Sequence, residues 1–217
     1  MILSRLFLNP RSRQVQREIA DPYEMHRTIM QAFPSLLDKS ERVLWRLELQ
    51  PQTHFPTLLV QSHGMQDWQF LHTRDKDWLL PAISENPVVK HVDIKLLPDQ
   101  TLVFRLLANP IVKKDRPDKK QGHRIGLINE EDQLKWIKRK LSQAGAVLVS
   151  IQISPKDHVK GKLFRNDEKH DLNFLSVKFD GILQVSDPQK LIDAIETGIG
   201  PGKGLGFGLL SLAPFHS

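Results

Sequence analysis

The sequence predicts an α+β fold of two tandem ferredoxin-like (βαββαβ) units, residues 1–97 and 98–217. Three observations carry this expectation. The order strand, helix, strand, strand, helix, strand can be traced twice along the chain. The first helix of each round, opening at Asp21-Pro22 and at Glu130, is well marked by its end signals. Pro98-Asp99 separates the rounds, which should meet near Leu97 to Thr101.

Ile2 to Leu8 is apolar and extended in character, and Asn9 to Ala20 reads as a polar connection. Asp21 can then serve as N-cap, with Pro22 at N1 and Glu24 at N3 completing a capping-box-like D-x-x-E, for a helix that runs to about Phe33 before Pro34. Arg42 to Leu49 and Thr57 to Gln61 form the next two strands. Gln66 to Leu80 holds one or two short helical turns, and Val88 to Leu96 alternates as a strand. In the second round TLVFRLLANPIV from Thr101 is a strand leading into a basic stretch. Glu130 to Ala144 is a helix with acidic residues in its first turn, basic ones later and Gly145 just past its end. Strands at Ala146 to Ile153 and Phe174 to Val185 flank a basic, irregular hairpin extension. Asp187-Pro188 caps a helix to about Glu196, and Leu209 to Leu212 is the closing strand.

With 217 residues, 40% hydrophobic and 26% charged, the chain is long enough for a real core. No run reaches the roughly 18 apolar residues that a bilayer demands, and MILSRLFLNP is too short and too quickly charged for a signal peptide, so a cytoplasmic protein with no membrane partner is expected. The absence of cysteine removes disulfides, thiolate metal sites and cysteine nucleophiles together. Charge is the more telling number. Of the net +6, the stretch Lys113 to Arg124 carries +4 and Lys135 to Lys140 another +4, leaving −2 on the remainder. Charge so concentrated suits a phosphate-binding surface better than a solubility device. Its candidate contacts are Lys113, Lys114, Arg116, Lys119, Lys120 and Arg124, then Lys138 and Arg139, and in the later extension Lys156, Lys160, Lys162 and Arg165.

On the first helix, advancing 100° per residue puts Met25, Ile29, Ala32 and Phe33 on one arc and Tyr23, His26, Arg27 and Met30 on another. The first arc faces the core. Tyr23, His26 and Arg27 then meet at i, i+3 and i+4 spacing near the helix N-terminus. One reading is a surface tyrosine and histidine beside a routine arginine. The other starts from Tyr23 being the sole tyrosine, and from the three side chains forming a minimal set for phosphodiester cleavage. RNA can be cut by its own 2′-hydroxyl if one group takes that proton, another protonates the departing 5′-oxygen, and a cation holds the charge on phosphorus. Imidazole titrates near working pH, a phenol donates or orients, and a guanidinium grips phosphate oxygens. Which of Tyr23 and His26 acts as base or acid is open at this point.

Gly198 to Gly208, GIGPGKGLGFG, holds six of the twelve glycines. Lys203 is followed by Gly204 rather than Ser or Thr, and no phase gives G-x-G-x-x-G, so nucleotide-binding signatures fail. Either it is a tight packing loop, or Gly200, Gly202 and Gly204 bring backbone amides and Lys203 against an RNA backbone. No H-E-x-x-H, Cys-His cluster or dense carboxylate set exists, so neither a metal nor a cofactor is expected.

Over almost its whole length the chain resembles the CRISPR repeat-processing endoribonuclease of the type I-E Cascade system, the CasE family. The likeness rests on LSRLFLNP near the start, PYEMHR at Pro22 to Arg27, FRLLANP at Phe104 to Pro110, and GIGPGKGLGFGLLSLAP at Gly198 to Pro214. It implies two ferredoxin-like domains and binding to the stem-loop of CRISPR repeat RNA, as precursor and as mature guide. It further implies cleavage at the 3′ base of the stem, with the enzyme remaining on its product alongside the other Cascade subunits. The family's catalytic tyrosine and histidine fall on Tyr23 and His26, and its glycine-rich loop on Gly198 to Gly208; Leu107 stands where many members carry arginine. Alone, the protein is expected to be a monomer. The rival expectation is an RNA-binding subunit without activity, in which Tyr23 and His26 only stack on or hydrogen-bond to RNA.

Overall fold

The structure, a computed structural model, describes the chain apart from residues 34–41, 51, 74–75, 117–118, 166–167 and 216–217. In the rest of 114–123 and 155–173 it describes the backbone alone. Two units emerge from its contacts. Among the described residues, the first holds Met1–Ile94, Lys160–Leu172 and Lys203–Gly206, and the second holds Lys95–Val159, Asn173–Gly202 and Phe207–Ser217. The stretch Lys203–Gly206 thus groups with the first unit, although the sequence reading assigned all of 98–217 to the second.

The first unit runs β1 (Ile2–Phe7), α1 (Arg13–Ala20), α2 (Pro22–Met30), β2 (Leu44–Leu49), β3 (Pro56–Ser62), α3 (Phe70–Thr73) and β4 (Val88–His91). Its antiparallel sheet has the order β2-β3-β1-β4, the ferredoxin-like arrangement. Met25, Ile29, Ala32 and Phe33 are buried against Leu6, Leu58 and Val60, so the arc assigned to the core faces the core. β4 ends at His91 rather than Leu96 because its partner runs out: Ile2, the first residue of β1, already pairs with His91.

Helix α1 is a correction. Asn9 to Ala20 is not a plain connection, since Ser12 caps a helix by accepting from the Val15 N–H, and that helix buries Val15 and Glu18. The apolar-periodicity test overlooks it because one of its inward residues is a carboxylate. Glu18, 1% exposed, is satisfied by the Gln14 amide at 2.6 Å, the Thr28 hydroxyl at 2.6 Å and the Trp78 indole N–H at 2.7 Å. This carboxylate ties α2 to α1 from beneath, two residues past His26.

The second unit runs β5 (Thr101–Ala108), β6 (Ile111–Arg116), β7 (Lys119–Gly126), α4 (Glu130–Gln143), β8 (Ala146–Arg165), β9 (Glu168–Val185), α5 (Pro188–Thr197) and β10 (Leu210–Pro214). Its sheet, β10-β5-β9-β8, repeats the first unit's order, and β6 and β7 form a separate two-stranded ribbon. On β5 the even-numbered residues Leu102, Phe104, Leu106 and Ala108 point inward, toward Trp136, Ile137 and Leu141 of α4 and Leu191 and Ile195 of α5 in the core. Opposite Phe104 lies Gly181, where a Cβ would come within 2.9 Å of the Phe104 ring.

Two further expectations are amended. The strand from Thr101 breaks at Asn109-Pro110, because a proline has no N–H to give the ladder. The stretch taken as an irregular extension has strand backbone instead, continuing β8 to Arg165 and starting β9 at Glu168.

Candidate active site

Asp21 works at both ends of a joint. Its N–H donates to the Arg17 carbonyl at 2.9 Å, closing α1, while its carboxylate accepts from the Tyr23 N–H at 3.1 Å, opening α2. The expected reciprocal half of the capping box is not formed. With the Asp21 N–H already engaged, Glu24 turns to Arg27 and accepts from its Nη1 through both oxygens, at 3.1 and 3.2 Å. That ion pair is exposed, the Arg27 side chain by 62%. Exposed pairs contribute at most about 1 kcal/mol, so an incoming phosphate can compete for the guanidinium.

Tyr23 and His26 are both half-buried on the same stretch of α2. His26 carries an electrostatic mark. Its Nδ1 is buried and has no hydrogen-bond partner among the described residues, and burial pushes its pKa below the ordinary 6.5. At neutral pH this favours the uncharged imidazole, the form that accepts a proton.

Over the other nitrogen lies the glycine-rich loop. The turn Lys203–Leu205, one short 3-10 turn, packs on α2, and a Cβ added at Gly204 would stand 3.4 Å from His26 Nε2 and 3.6 Å from Cε1. Gly204 thus lies in van der Waals range of the imidazole edge that carries Nε2. Lys203, half-buried, starts the same turn. The clamp that holds this turn is Trp45 on β2, whose indole N–H donates to the Gly204 carbonyl at 3.3 Å. Gly206 lies on the Trp45 ring: its φ is +85°, and a Cβ there would sit 2.9 Å from Trp45 Cζ3.

The structure thus brings together His26, Gly204 and the turn begun by Lys203, with Tyr23 and Arg27 on the same helix. Gly200 lies over the Trp136 ring and Gly202 over Phe207, both within the second unit. Sequence reasoning missed Trp45. A lone tryptophan in an apolar strand carries no local sign that it reaches a loop nearly 160 residues later.

The basic candidates with described side chains belong to the second unit. In the β6–β7 ribbon Lys113 stands directly across from Arg124, and the same register puts Lys114 across from His123 and Arg116 across from Lys119. Like charges facing each other across a ribbon are destabilising, and both Lys113 and Arg124 are exposed. Lys138 and Arg139 are exposed on α4. The side chains of Lys114, Arg116, Lys119, Lys120, Lys156, Lys160, Lys162 and Arg165 lie outside the described residues. Among the described residues no three His, Asp or Glu side chains gather as a metal site, and no helix is long and apolar enough to cross a membrane.

Comparison with known proteins places these features in context. The sequence family described as CRISPR associated protein matches residues 1–214. The chain is 35% identical to the CRISPR-associated endoribonuclease Cse3 of Thermus thermophilus, across 99% of this chain and 100% of that one. It is 32% identical to the CRISPR system Cascade subunit CasE of Escherichia coli, across 89% of this chain and 92% of that one. Its fold matches a solved structure of the CRISPR endoribonuclease Cse3 bound to 19 nt RNA with a TM-score of 0.83, at 34% identity, covering 99% and 100% of the two chains.

Proposed function

Because this chain belongs to the CRISPR associated protein family, we propose that it is a metal-independent endoribonuclease that processes CRISPR repeat RNA. It binds the repeat stem-loop, cuts the precursor transcript at the 3′ base of the stem, and stays on the mature guide RNA as a subunit of Cascade. It works in the cytoplasm, is a monomer before assembly, and divides into domains at residues 97/98. The observation that carries the reading is the neutral, half-buried His26 under Gly204, on a helix shared with Tyr23, in a chain alike over its whole length to an endoribonuclease.

In this reading His26 is the base. Its uncharged imidazole takes the proton of the 2′-hydroxyl, and the resulting oxygen attacks the adjacent phosphorus. The bond from phosphorus to the 5′-oxygen breaks, with the Tyr23 phenol supplying the proton that the 5′-oxygen needs. Arg27 leaves Glu24 to hold the phosphorane oxygens, assisted by Lys203. The products are a 2′,3′-cyclic phosphate and a 5′-hydroxyl. The basic ribbon and α4 provide affinity through phosphate contacts.

The decisive substrate carries one 2′-deoxy nucleotide immediately 5′ of the scissile phosphate. With enzyme in excess, so that slow product release does not intrude, this RNA is bound about as well as the all-ribose RNA and is not cut. The all-ribose RNA is cut equally with and without EDTA. Cleavage of the deoxy substrate, or a need for divalent metal once the RNA is folded, makes water the nucleophile and removes this mechanism.

A further inference from the structure

At the foot of the β6–β7 ribbon, Asn109, Ile111, Arg124, Ile128, Phe174 and Gly202 line a cavity of about 370 Å³. This lies within the range of about 300–1,000 Å³ typical of small-molecule sites. Its walls differ in kind. Phe174 is half-buried, with its ring fixed against Phe207 at 6.1 Å between centroids. Ile128 is 79% exposed and Ile125 beside it 37%, an apolar wall left in water. Asn109 is 5% exposed, with an amide able both to donate and to accept. At the rim the exposed Arg124 faces Lys113 across the ribbon. Gly202, with φ at +82°, lets the backbone pass close on the remaining side.

We propose that this cavity receives one unpaired nucleobase of the bound RNA, from a nucleotide flanking the repeat stem. The inference rests on the function proposed above and adds a subsite to it. An aromatic ring offers a face for stacking, aliphatic side chains cover the opposite face, a buried amide meets the hydrogen-bonding edge, and a guanidinium at the rim meets the phosphate that accompanies every base. A base within the stem cannot enter, since both its faces are stacked and its pairing edge is used. The positive rim favours a nucleotide over an apolar protein side chain as the occupant.

An abasic scan tests the assignment. Stem-loop RNAs carry the flanking nucleotides, a 2′-deoxy block at the scissile position, and a single abasic site moved through the unpaired positions. Dissociation constants are measured for the full-length protein and for Phe174→Leu. At one position, removing the base weakens binding to the unsubstituted protein about tenfold, and the same removal changes binding to Phe174→Leu less than about twofold. Should Phe174→Leu fail to fold, Ile128→Glu at the exposed wall replaces it, and it weakens the intact RNA by a larger factor than the abasic RNA at that position. The idea is overturned if no position responds, or if the response is the same in both proteins; either result leaves the cavity to a protein side chain. If the unblocked RNA is still cut normally in that case, only the subsite falls. If the unsubstituted protein neither binds nor cuts the repeat RNA, the proposed function falls with it.

Discussion

Helix α2 and the β6–β7 ribbon are both proposed to meet RNA, yet they are built on opposite terms. Around His26 every neighbour is fixed: Asp21 caps the helix, Glu18 holds it through Thr28, and Trp45 fastens the turn above the imidazole. The ring is partly desolvated and uncharged. The ribbon sets Lys113 against Arg124 with both exposed, accepting repulsion between them. Proton transfer needs a group whose position and protonation are settled before the substrate arrives. Attraction to a polyanion needs only charge of one sign within reach of many phosphates. On the function proposed, the difference puts affinity and chemistry on separate residues, which are expected to be removable separately.

The largest separation is expected from His26→Ala. It keeps most RNA affinity and loses at least about a hundredfold in single-turnover rate, the lower end for one general base. For the unsubstituted protein, kcat/KM falls as pH drops through the His26 pKa, which lies below 6.5, and is level with respect to that group above it. A cleavage rate unchanged by His26→Ala would return the histidine to an ordinary surface role. A smaller effect sharpens the part played by the clamp. Gly206→Ala adds a Cβ against Trp45 at a backbone angle that alanine rarely adopts, so the turn over His26 shifts. Its single-turnover rate drops about tenfold with affinity nearly unchanged, since small misplacements near reacting groups are costly. An equal loss of rate and affinity would mean that the turn serves binding alone. The smallest effect belongs to the ribbon: Lys113→Ala and Arg124→Ala each reduce the slope of log affinity against log salt by about 1. Neither change alters the rate of cutting once the RNA is saturated with enzyme.

The parts of this architecture that could be read from sequence are those encoded locally. Asp21-Pro22 and Asp187-Pro188 announce helices α2 and α5, and the acidic turn from Glu130 announces α4, because such end signals are adjacent in the chain. The arc of Tyr23, His26 and Arg27 followed from helix geometry alone. Helix α1 escaped because an inward carboxylate looks like a surface residue until its three donors, two of them at Thr28 and Trp78, are in place. The closed capping box failed for a related reason, the Asp21 N–H being taken by the preceding helix. The contact of Trp45 with Gly204 and Gly206 joins distant segments and leaves no periodic trace. Glycine spacing announced that something must approach the loop closely, but not what.

The clamp also orders events during synthesis. Trp45 is 3% exposed in the folded protein, and part of its cover is the segment Lys203–Gly206, made nearly 160 residues later. While the ribosome is still adding the second unit, a nascent first unit has its helices and sheet but an uncovered indole and an open imidazole. Domains tend to fold as they emerge, N-terminal first, and here that rule holds for the scaffold but not for the site. On the function proposed, competence to cut waits for residues 203–206 to come back to residue 45, so a chain that has made His26 but not that segment is not expected to cut.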